Sequence, residues 1–306
     1  MLNSPPKVSI ILPVFNGRAT LLSAVQSIVD QDYLDWELII LDDGSTDGCT
    51  SALERLVDLR IKVHIDGLRK GLATRLNEGI DCSKGLYIAR MDADDLCFPD
   101  RLKKQVDYLD AHPQVDLVAT KALGFSNRGN QLLFGILPYY EKHEELCASS
   151  WGGIYMPHPS WMGRAAWFRK YRYRIPEVLR AEDQELLLRA MPESRYYCLP
   201  EALLAYRQGP FNLRKSLLAR RELFKCQMNI FLMRRQWRCL LKTFWLTLQK
   251  ISFDLLRSVL PFQIFSSLKR GGEITPAELN QFHVLIKKYR DPKTFLLANN
   301  NCSTNS

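Results

Sequence analysis

Residues 8–123 alternate short apolar runs with segments whose apolar residues recur at helical spacing. Val8–Val14 and Trp36–Leu41 are nearly continuous apolar runs, as expected for strands buried on both faces. Repeated β-α-β units favour an α/β fold with a Rossmann-like, mostly parallel sheet and helices on both faces. The pattern predicts strands at Val8–Val14, Trp36–Leu41, Ile61–Ile65, Leu86–Met91 and Val115–Leu123, and helices at Arg18–Asp30, Thr46–Leu59, Leu72–Cys82 and Pro99–Ala111.

The charge of the chain is distributed unevenly. Of its 306 residues, 1–210 carry 25 Lys and Arg against 28 Asp and Glu, whereas 211–306 carry 17 against 5. The net charge of +9 therefore comes entirely from the C-terminal part. Length and charge together predict two domains, residues 1–210 and a basic helical region at residues 211–306. Such a basic region suggests an anionic partner, either nucleic acid or a membrane surface.

Residues 228–268 favour the membrane surface over nucleic acid. Their apolar residues recur at helical spacing with Arg and Lys between them, and no reading motif for nucleic acid accompanies the charge. No stretch of about 18 residues is free of charge, which argues against a membrane-spanning helix. We expect amphipathic helices in the plane of an anionic membrane. The alternative is that these helices pack on the body of the protein or on a second subunit.

The cysteines and the N-terminus suggest a cytosolic location. The eight cysteines occur singly, without a CxxC pair, which argues against a zinc ribbon or a thioredoxin-type site. The first residues lack a basic segment followed by an apolar one, so no signal peptide is expected. We therefore expect reduced thiols in a cytoplasmic protein, peripheral on the inner face of the cytoplasmic membrane.

Acidic residues follow two of the predicted strands. Asp42 and Asp43 end the second strand, and Asp92-Ala93-Asp94-Asp95 follows the fourth. In an open parallel sheet these positions lie at the carboxyl edge, where ligands bind. Each cluster alone is compatible with a turn or a solvated loop, but together they predict a divalent cation bridging to phosphates, with Mg²⁺ or Mn²⁺ suited to oxygen ligands. The sequence lacks a G-x-G-x-x-G motif after the first strand, which argues against a dinucleotide-binding fold. It also lacks the P-loop motif, which argues against a P-loop NTPase.

The ordered set of motifs resembles the family-2 glycosyltransferases, which have the GT-A fold. The resemblance covers about residues 7–210 and not the region beyond. It rests on VSIILPVFNG (Val8–Gly17), LDDGSTDG (Leu41–Gly48), KGLATRLNEGI (Lys70–Ile80), ARMDADD (Ala89–Asp95), FPDRLKKQ (Phe98–Gln105), MPHPSWMGR (Met156–Arg164) and AEDQELLLR (Ala181–Arg189).

The resemblance implies a binding site for a nucleotide-diphosphate sugar. Arg75 would contact the base or the diphosphate, Asn77 would orient the surrounding loop, and Arg207 would bind the diphosphate. A surface helix position is the alternative for Arg75. Base and ribose would lie against the ends of the first two strands, lined by Pro13, Phe15, Asn16, Asp42 and Asp43.

The D-x-D motif of the family corresponds to Asp92-Ala93-Asp94. By this resemblance Asp94 ligates the metal, Asp92 contacts the ribose or a metal-bound water, and Asp95 is a further ligand. The expected cofactor is Mn²⁺ or Mg²⁺, which would bridge the two phosphates of the donor.

The family's E-D motif corresponds to Glu182-Asp183. Asp183 would be the general base that deprotonates the acceptor hydroxyl, with Glu182 structural or orienting the acceptor, and the reaction would invert the anomeric centre. His158 and Trp161 would lie at the acceptor site, where Trp151 and Tyr155 are further candidates for stacking on sugar rings. Core packing is the alternative for these aromatic residues.

The resemblance predicts transfer of a sugar, first of all from a UDP-sugar, to a saccharide or lipid-linked saccharide. Synthesis of envelope polysaccharide or lipopolysaccharide fits an acceptor at the membrane. One alternative is a catalytically inactive, glycosyltransferase-like membrane scaffold, which the intact Asp43, Asp92, Asp94 and Asp183 disfavour. Another is a sugar nucleotidyltransferase, which would need a glycine-rich loop in place of Pro13–Gly17.

Overall fold

The computed structural model describes residues 4–55, 58–128, 131–175, 180–259 and 274–289. Nine strands form one sheet: β1 (Val8–Val14), β2 (Trp36–Asp42), β3 (Ile61–His64), β4 (Tyr87–Arg90), β5 (Leu96–Cys97), β6 (Leu117–Arg128), β7 (Gln131–Ile136), β8 (Met162–Arg164) and β9 (Tyr196–Arg207). The helices are α1 (Leu21–Val29), α2 (Leu72–Cys82), α3 (Arg101–Ala111), α4 (His143–Ala148), α5 (Ala165–Lys170), α6 (Glu182–Ala190), α7 (Leu213–Met233), α8 (Trp237–Val259) and α9 (Pro276–Lys288).

The strands lie in the order β3-β2-β1-β4-β8-β6-β9-β5, with β7 paired to β6. The first four pair in parallel, as the repeated β-α-β pattern predicts. Beyond β4 the sheet is mixed, since β8 is antiparallel to both its neighbours whereas β6 and β9 are parallel. The expected α/β fold with its parallel, Rossmann-like part is confirmed.

Alternate residues of β1 belong to two separate cores, one on each face of the sheet. Ile10 and Leu12 pack in the cluster that contains α1, whereas Ile11 packs with α2. A strand with apolar residues on both faces therefore needs a helix on each side. Helix α2 lies very close to β1, because a Cβ atom added at Gly79 would be only 2.4 Å from the Cγ2 atom of Ile11.

The helix expected over Thr46–Leu59 is replaced by turns and a short 3₁₀ helix at Thr50–Arg55. Aspartate side chains explain the difference. Asp42 accepts a hydrogen bond from the backbone N–H of Ser45, and Asp47 accepts one from that of Cys49. Such bonds offer the backbone an alternative to helical pairing. Residues 56–57 of the expected helix lie outside the described ranges.

The C-terminal helices pack in two places. Helices α7 and α8 form a hairpin, in which the buried Asp254 accepts hydrogen bonds from Ser216 and Arg220. Helix α9 begins at a capping box between Thr275 and Glu278 and returns to the sheet. There Lys121 and Glu278 form an ion pair of 2.6 Å. Part of the stretch 228–268, residues 260–268, lies outside the described ranges.

Within those ranges, no helix is both long and apolar enough to cross a membrane.

Candidate active site

The acidic cluster lies in the loop that follows β4. Asp92, Asp94 and Asp95 place one carboxylate oxygen each within 4.8 Å of one another. Arg207, at the end of β9, is held against the same loop. Its backbone N–H donates to Oδ1 of Asp95 at 2.8 Å, and its Nε donates to the carbonyl oxygen of Asp94 at 2.9 Å. The structure therefore brings together four residues that the resemblance assigns to the metal and the diphosphate.

The electrostatics of this cluster favour a cation. Burial, together with the neighbouring carboxylates, raises the pKa of Asp94 and raises that of Asp95 well above its ordinary value. The Oδ2 atom of Asp95 is buried and has no hydrogen-bond partner in the described part of the chain. Buried anionic oxygens without partners are costly. An all-oxygen set of this kind fits Mg²⁺ or Mn²⁺.

A buried cation, Arg90, lies directly behind the cluster at the end of β4. Its guanidinium binds both carboxylate oxygens of Asp92, at 2.5 and 2.8 Å. The sequence motifs gave no role to Arg90. The available signal was an arginine inside a strand predicted to be buried, because a buried charge requires a partner.

Glu182 and Asp183 lie in the first turn of α6, and both side chains are half-buried. Burial, followed by the charge of Asp183, raises the pKa of Glu182 to about 7. Burial also raises the pKa of Asp183, while the positive charge of Arg90 opposes the rise. The positive charge of the same arginine also opposes the rise in the pKa of Asp94 and Asp95, so it acts on both the acidic cluster and the carboxyl pair.

His158 is hydrogen-bonded through Nε2 to the hydroxyl of Tyr173 at 2.7 Å. Burial, followed by the charge of Arg90, lowers the pKa of His158 well below its ordinary value, so the imidazole is neutral at pH 7. The structure thus adds Tyr173, which the sequence analysis did not single out. Asn77, expected to orient the loop around the base, instead bonds the backbone of Tyr173 through both atoms of its amide.

Trp161 is completely buried, with 0% of its surface exposed. Its indole N–H donates to the carbonyl oxygen of Met156, and its ring packs edge-on against His158. In this structure Trp161 therefore offers no face to an acceptor sugar, and the core-packing alternative describes it. It supports His158 from behind instead.

Arg75 is also buried, with only 2% of its side chain exposed. Its guanidinium is bound to the carboxylates of Asp43, Asp66 and Glu78. Arg75 is therefore neither a cation on the surface of the helix nor a side chain that points toward a ligand. Arg75 instead holds residues 66–71 against Asp43, whose Oδ1 also accepts the backbone N–H groups of residues 70 and 71.

The remaining residues predicted for the nucleotide lie at the ends of β1 and β2. Pro13 is buried within β1, and Asp42 is occupied by the backbone of the following turn. Asn16 has a left-handed backbone (φ +52°), and its Oδ1 accepts the backbone N–H of Thr46. Phe15 is 41% exposed, with the guanidinium of Arg69 4.1 Å above its ring. Phe15 and Arg69 thus present flat surfaces on which a base can stack.

Comparison with known proteins identifies the family. The model of the family described as "Glycosyl transferase family 2" matches residues 9–172. The putative glycosyltransferase EpsE of Bacillus subtilis is 38% identical over 213 residues, which cover 68% of this chain and 75% of EpsE. An uncharacterized glycosyltransferase of Haemophilus influenzae is 31% identical over 216 residues, covering 66% of this chain and 65% of that protein.

Solved structures agree on the fold. The S. aureus TarS 1-349 complex with UDP-GlcNAc superimposes with a TM-score of 0.58 at 19% identity, over 92% of this chain and 80% of that one. The mannosyltransferase PcManGT of Pyrobaculum calidifontis, in complex with GDP-Man and Mn²⁺, gives 0.58 at 18% identity, over 96% and 84%. On the family model and the EpsE match, the chain belongs to glycosyl transferase family 2.

Proposed function

We propose that this protein transfers a sugar from a nucleotide-diphosphate donor to an acceptor hydroxyl, with a divalent metal and with inversion. One observation carries the proposal: Arg90 binds Asp92 in the cluster Asp92, Asp94 and Asp95, and its charge also acts on Asp183 of the half-buried pair Glu182 and Asp183. A metal site for a diphosphate beside a carboxylate of raised pKa supplies both requirements of the reaction, a stabilised leaving group and a proton acceptor.

The donor would extend from the ends of β1 and β2 toward the acidic cluster. Phe15 and Arg69 stack on the base, and Asp43 accepts a hydrogen bond from it through an oxygen. Arg207 binds the diphosphate, since its guanidinium already lies beside Asp94. Asp94 and Asp95, with Asp92 nearby, would hold Mn²⁺ or Mg²⁺, which would supply positive charge to stabilise the departing nucleoside diphosphate.

On the acceptor side, Asp183 accepts the proton of the attacking hydroxyl. The raised pKa of Asp183 favours this role, because a carboxylate with a higher pKa is a stronger base once it is ionised. The acceptor oxygen forms a bond to the anomeric carbon while the bond to the donor phosphate breaks, and a single displacement inverts the configuration. His158 and Tyr173 contribute uncharged polar groups beside this path.

The relatives suggest the classes of donor and acceptor. Solved neighbours hold UDP-GlcNAc and GDP-Man. The Escherichia coli relative WfgD, 32% identical over 102 residues that cover 33% of this chain and 40% of WfgD, is a UDP-Glc:alpha-D-GlcNAc-diphosphoundecaprenol beta-1,3-glucosyltransferase. We therefore propose a UDP-sugar donor first and a saccharide on a lipid diphosphate as acceptor, in the synthesis of envelope polysaccharide.

A lipid-linked acceptor requires the enzyme to work at a membrane, and α8 offers a suitable face. Trp237, Leu241 and Trp245 are each more than 60% exposed in the described structure, and Phe244 and Leu248 extend the same face. The exposed cations Arg235 and Arg238 lie at its start. Apolar side chains flanked by cations are typical of helices in the plane of an anionic membrane. We propose that this face holds the protein on the cytoplasmic side of the cytoplasmic membrane.

Vesicle flotation tests the membrane part. The full chain should float with vesicles of phosphatidylglycerol and phosphatidylethanolamine, and binding should be lost when Leu241→Glu and Trp245→Glu are combined. Leu34→Glu, at another exposed leucine far from α8 in sequence, is the matched control and should float like the wild type. Flotation of the double variant at the wild-type level would contradict the proposed face.

A donor screen tests the catalytic part. Thermal stabilisation and donor hydrolysis should be measured with UDP-glucose, UDP-GlcNAc and GDP-mannose, each with and without Mn²⁺. We expect at least one donor to stabilise the protein only when Mn²⁺ is present, and Asp94→Asn to abolish that effect. Stabilisation that is the same with and without Mn²⁺ would refute the metal-dependent site. A scaffold without activity would bind none of the donors.

A further inference from the structure

The turn Ser150–Ile154 lies between the C-terminal hairpin and the helix that carries the proposed base. Two of the aromatic residues considered for sugar stacking, Trp151 and Tyr155, belong to this turn or follow it directly. Tyr155 is 36% exposed. How firmly the turn is held therefore determines where an acceptor can lie relative to Asp183.

The hairpin of α7 and α8 holds the first half of the turn through its carbonyl groups. The side-chain amide of Gln227 donates to the carbonyl oxygens of Ser150 and Trp151, at 3.1 and 3.0 Å. Lys250 donates to the carbonyl oxygen of Gly152 at 2.9 Å. Gln227 is only 2% exposed, so these bonds are shielded from water. The hairpin thus helps to hold the acceptor side of the site, in addition to presenting the exposed face of α8.

Gln184 of α6 holds the second half. Its Oε1 accepts the backbone N–H of Ile154 at 2.9 Å, and its Nε2 donates to the carbonyl oxygen of Ile154 at 3.0 Å. The same Nε2 lies 3.4 Å from Oδ2 of Asp183, to which it also donates. One amide therefore bonds both backbone groups of Ile154 and the proposed base.

We propose that Gln184 is a positioning residue, which fixes the turn Ser150–Ile154 and the carboxylate of Asp183 in one geometry for attack by the acceptor. The inference rests on the proposed function. Only a primary amide provides an acceptor and two donors in this arrangement, so neither a carboxylate nor an apolar side chain of the same length can replace it. Reaction geometry is sensitive at this scale, because displacement of a reacting group by about 1 Å can cost about 100-fold in rate.

The proposal extends to the hairpin. Because Gln227 and Lys250 hold the same turn from the other side, a disturbance of α7 reaches the acceptor side through Ser150–Gly152. The C-terminal hairpin is then required for transfer itself and does more than attach the enzyme to a surface. Replacement of Gln227 should therefore lower transfer and loosen the turn, as replacement of Gln184 should.

The test uses the full chain with three variants: Gln184→Met, Gln227→Met and, as matched control, Gln281→Met on an exposed position of α9. Two quantities are measured. One is the ratio of transfer to donor hydrolysis, with the active donor from the screen and an alkyl N-acetylglucosaminyl diphosphate as acceptor. The other is hydrogen exchange of the amides of residues 150–156.

In Gln184→Met we expect the ratio of transfer to hydrolysis to fall at least about tenfold, because water needs no positioned turn whereas the acceptor does. Exchange at Ile154 should accelerate, and Mn²⁺-dependent stabilisation by the donor should stay at the wild-type level. Gln227→Met should change both quantities in the same direction, and Gln281→Met should change neither.

A ratio within twofold of wild type in Gln184→Met, with faster exchange at Ile154, would overturn the positioning role, since the turn would be loosened without effect on transfer. Unchanged exchange at Ile154 would overturn it as well, because Gln184 would not hold the turn. Failure of the proposed function is a different result: the wild-type protein would then transfer no sugar and hydrolyse no donor.

Discussion

Replacement of Arg90 by Met removes the buried cation that binds Asp92 and whose charge acts on the carboxyl pair Glu182 and Asp183. Breaking a buried ion pair by deleting one partner costs about 3–5 kcal/mol, because the other charge stays buried without compensation. Asp92 has 26% of its side chain exposed, so part of its charge stays hydrated and the lower end applies. With an unfolding entropy of about 2.1 cal/mol/K per residue, about 3 kcal/mol corresponds in a chain of 306 residues to a fall in Tm of roughly 5 °C.

Differential scanning fluorimetry without metal measures this loss. Lys103→Met is the matched control, since the Lys103–Asp107 pair has 58% and 57% of its side chains exposed and should change Tm by no more than about 2 °C. Mn²⁺ should restore more of the Tm in Arg90→Met than it adds to the wild type, because it replaces the missing positive charge. A Tm of Arg90→Met within about 2 °C of wild type would refute the electrostatic reasoning.

Three further predictions follow from the same contacts. The acidic limb of the kcat/KM profile should lie above the ordinary carboxyl pKa of about 4, because burial raises the pKa of Asp183 and a base must be ionised to act. Arg90→Met removes a charge that lowers this pKa, so pH titration of activity should show the limb at higher pH in that variant. Asp95→Asn should raise Tm at pH 7 in the absence of metal. The pKa of Asp95 is raised in the folded protein, so its ionised form destabilises the fold at pH values above the pKa of a free aspartate. The same substitution should abolish stabilisation by Mn²⁺ in the same assay. Arg75→Met should weaken donor binding, measured by calorimetry, through release of residues 66–71 from Asp43, whereas a donor affinity equal to wild type would exclude that role.

The parallel half of the sheet could be predicted from the sequence because its strands are buried on both faces. A continuous apolar run such as Val8–Val14 has few alternatives, and all its residues are buried. The helix expected after Thr46 was wrong because aspartate side chains bond to the local backbone, and periodicity does not register this competition. The mixed half of the sheet depends on contacts between segments far apart in sequence, which local patterns do not encode.

The candidate site, like the fold, could be predicted only in part from the sequence. The motifs predicted which residues gather at the carboxyl edge of the sheet, and Arg207 does lie beside Asp94 and Asp95. They did not predict how each side chain is used. Arg75 is bound by three carboxylates, and Trp161 is packed in the core. A motif identifies a position, whereas burial and hydrogen bonding decide whether the side chain faces a ligand.

The central claim is that Asp183 is the general base of a metal-dependent transfer. The most direct test is the transfer rate of Asp183→Asn, measured together with Mn²⁺-dependent donor binding. Asparagine keeps the size of the side chain but cannot accept the proton, so transfer should fall by about 10²–10⁴-fold. Donor binding should stay within about twofold of wild type, since the acidic cluster is intact. Transfer near the wild-type rate with normal donor binding would contradict the account.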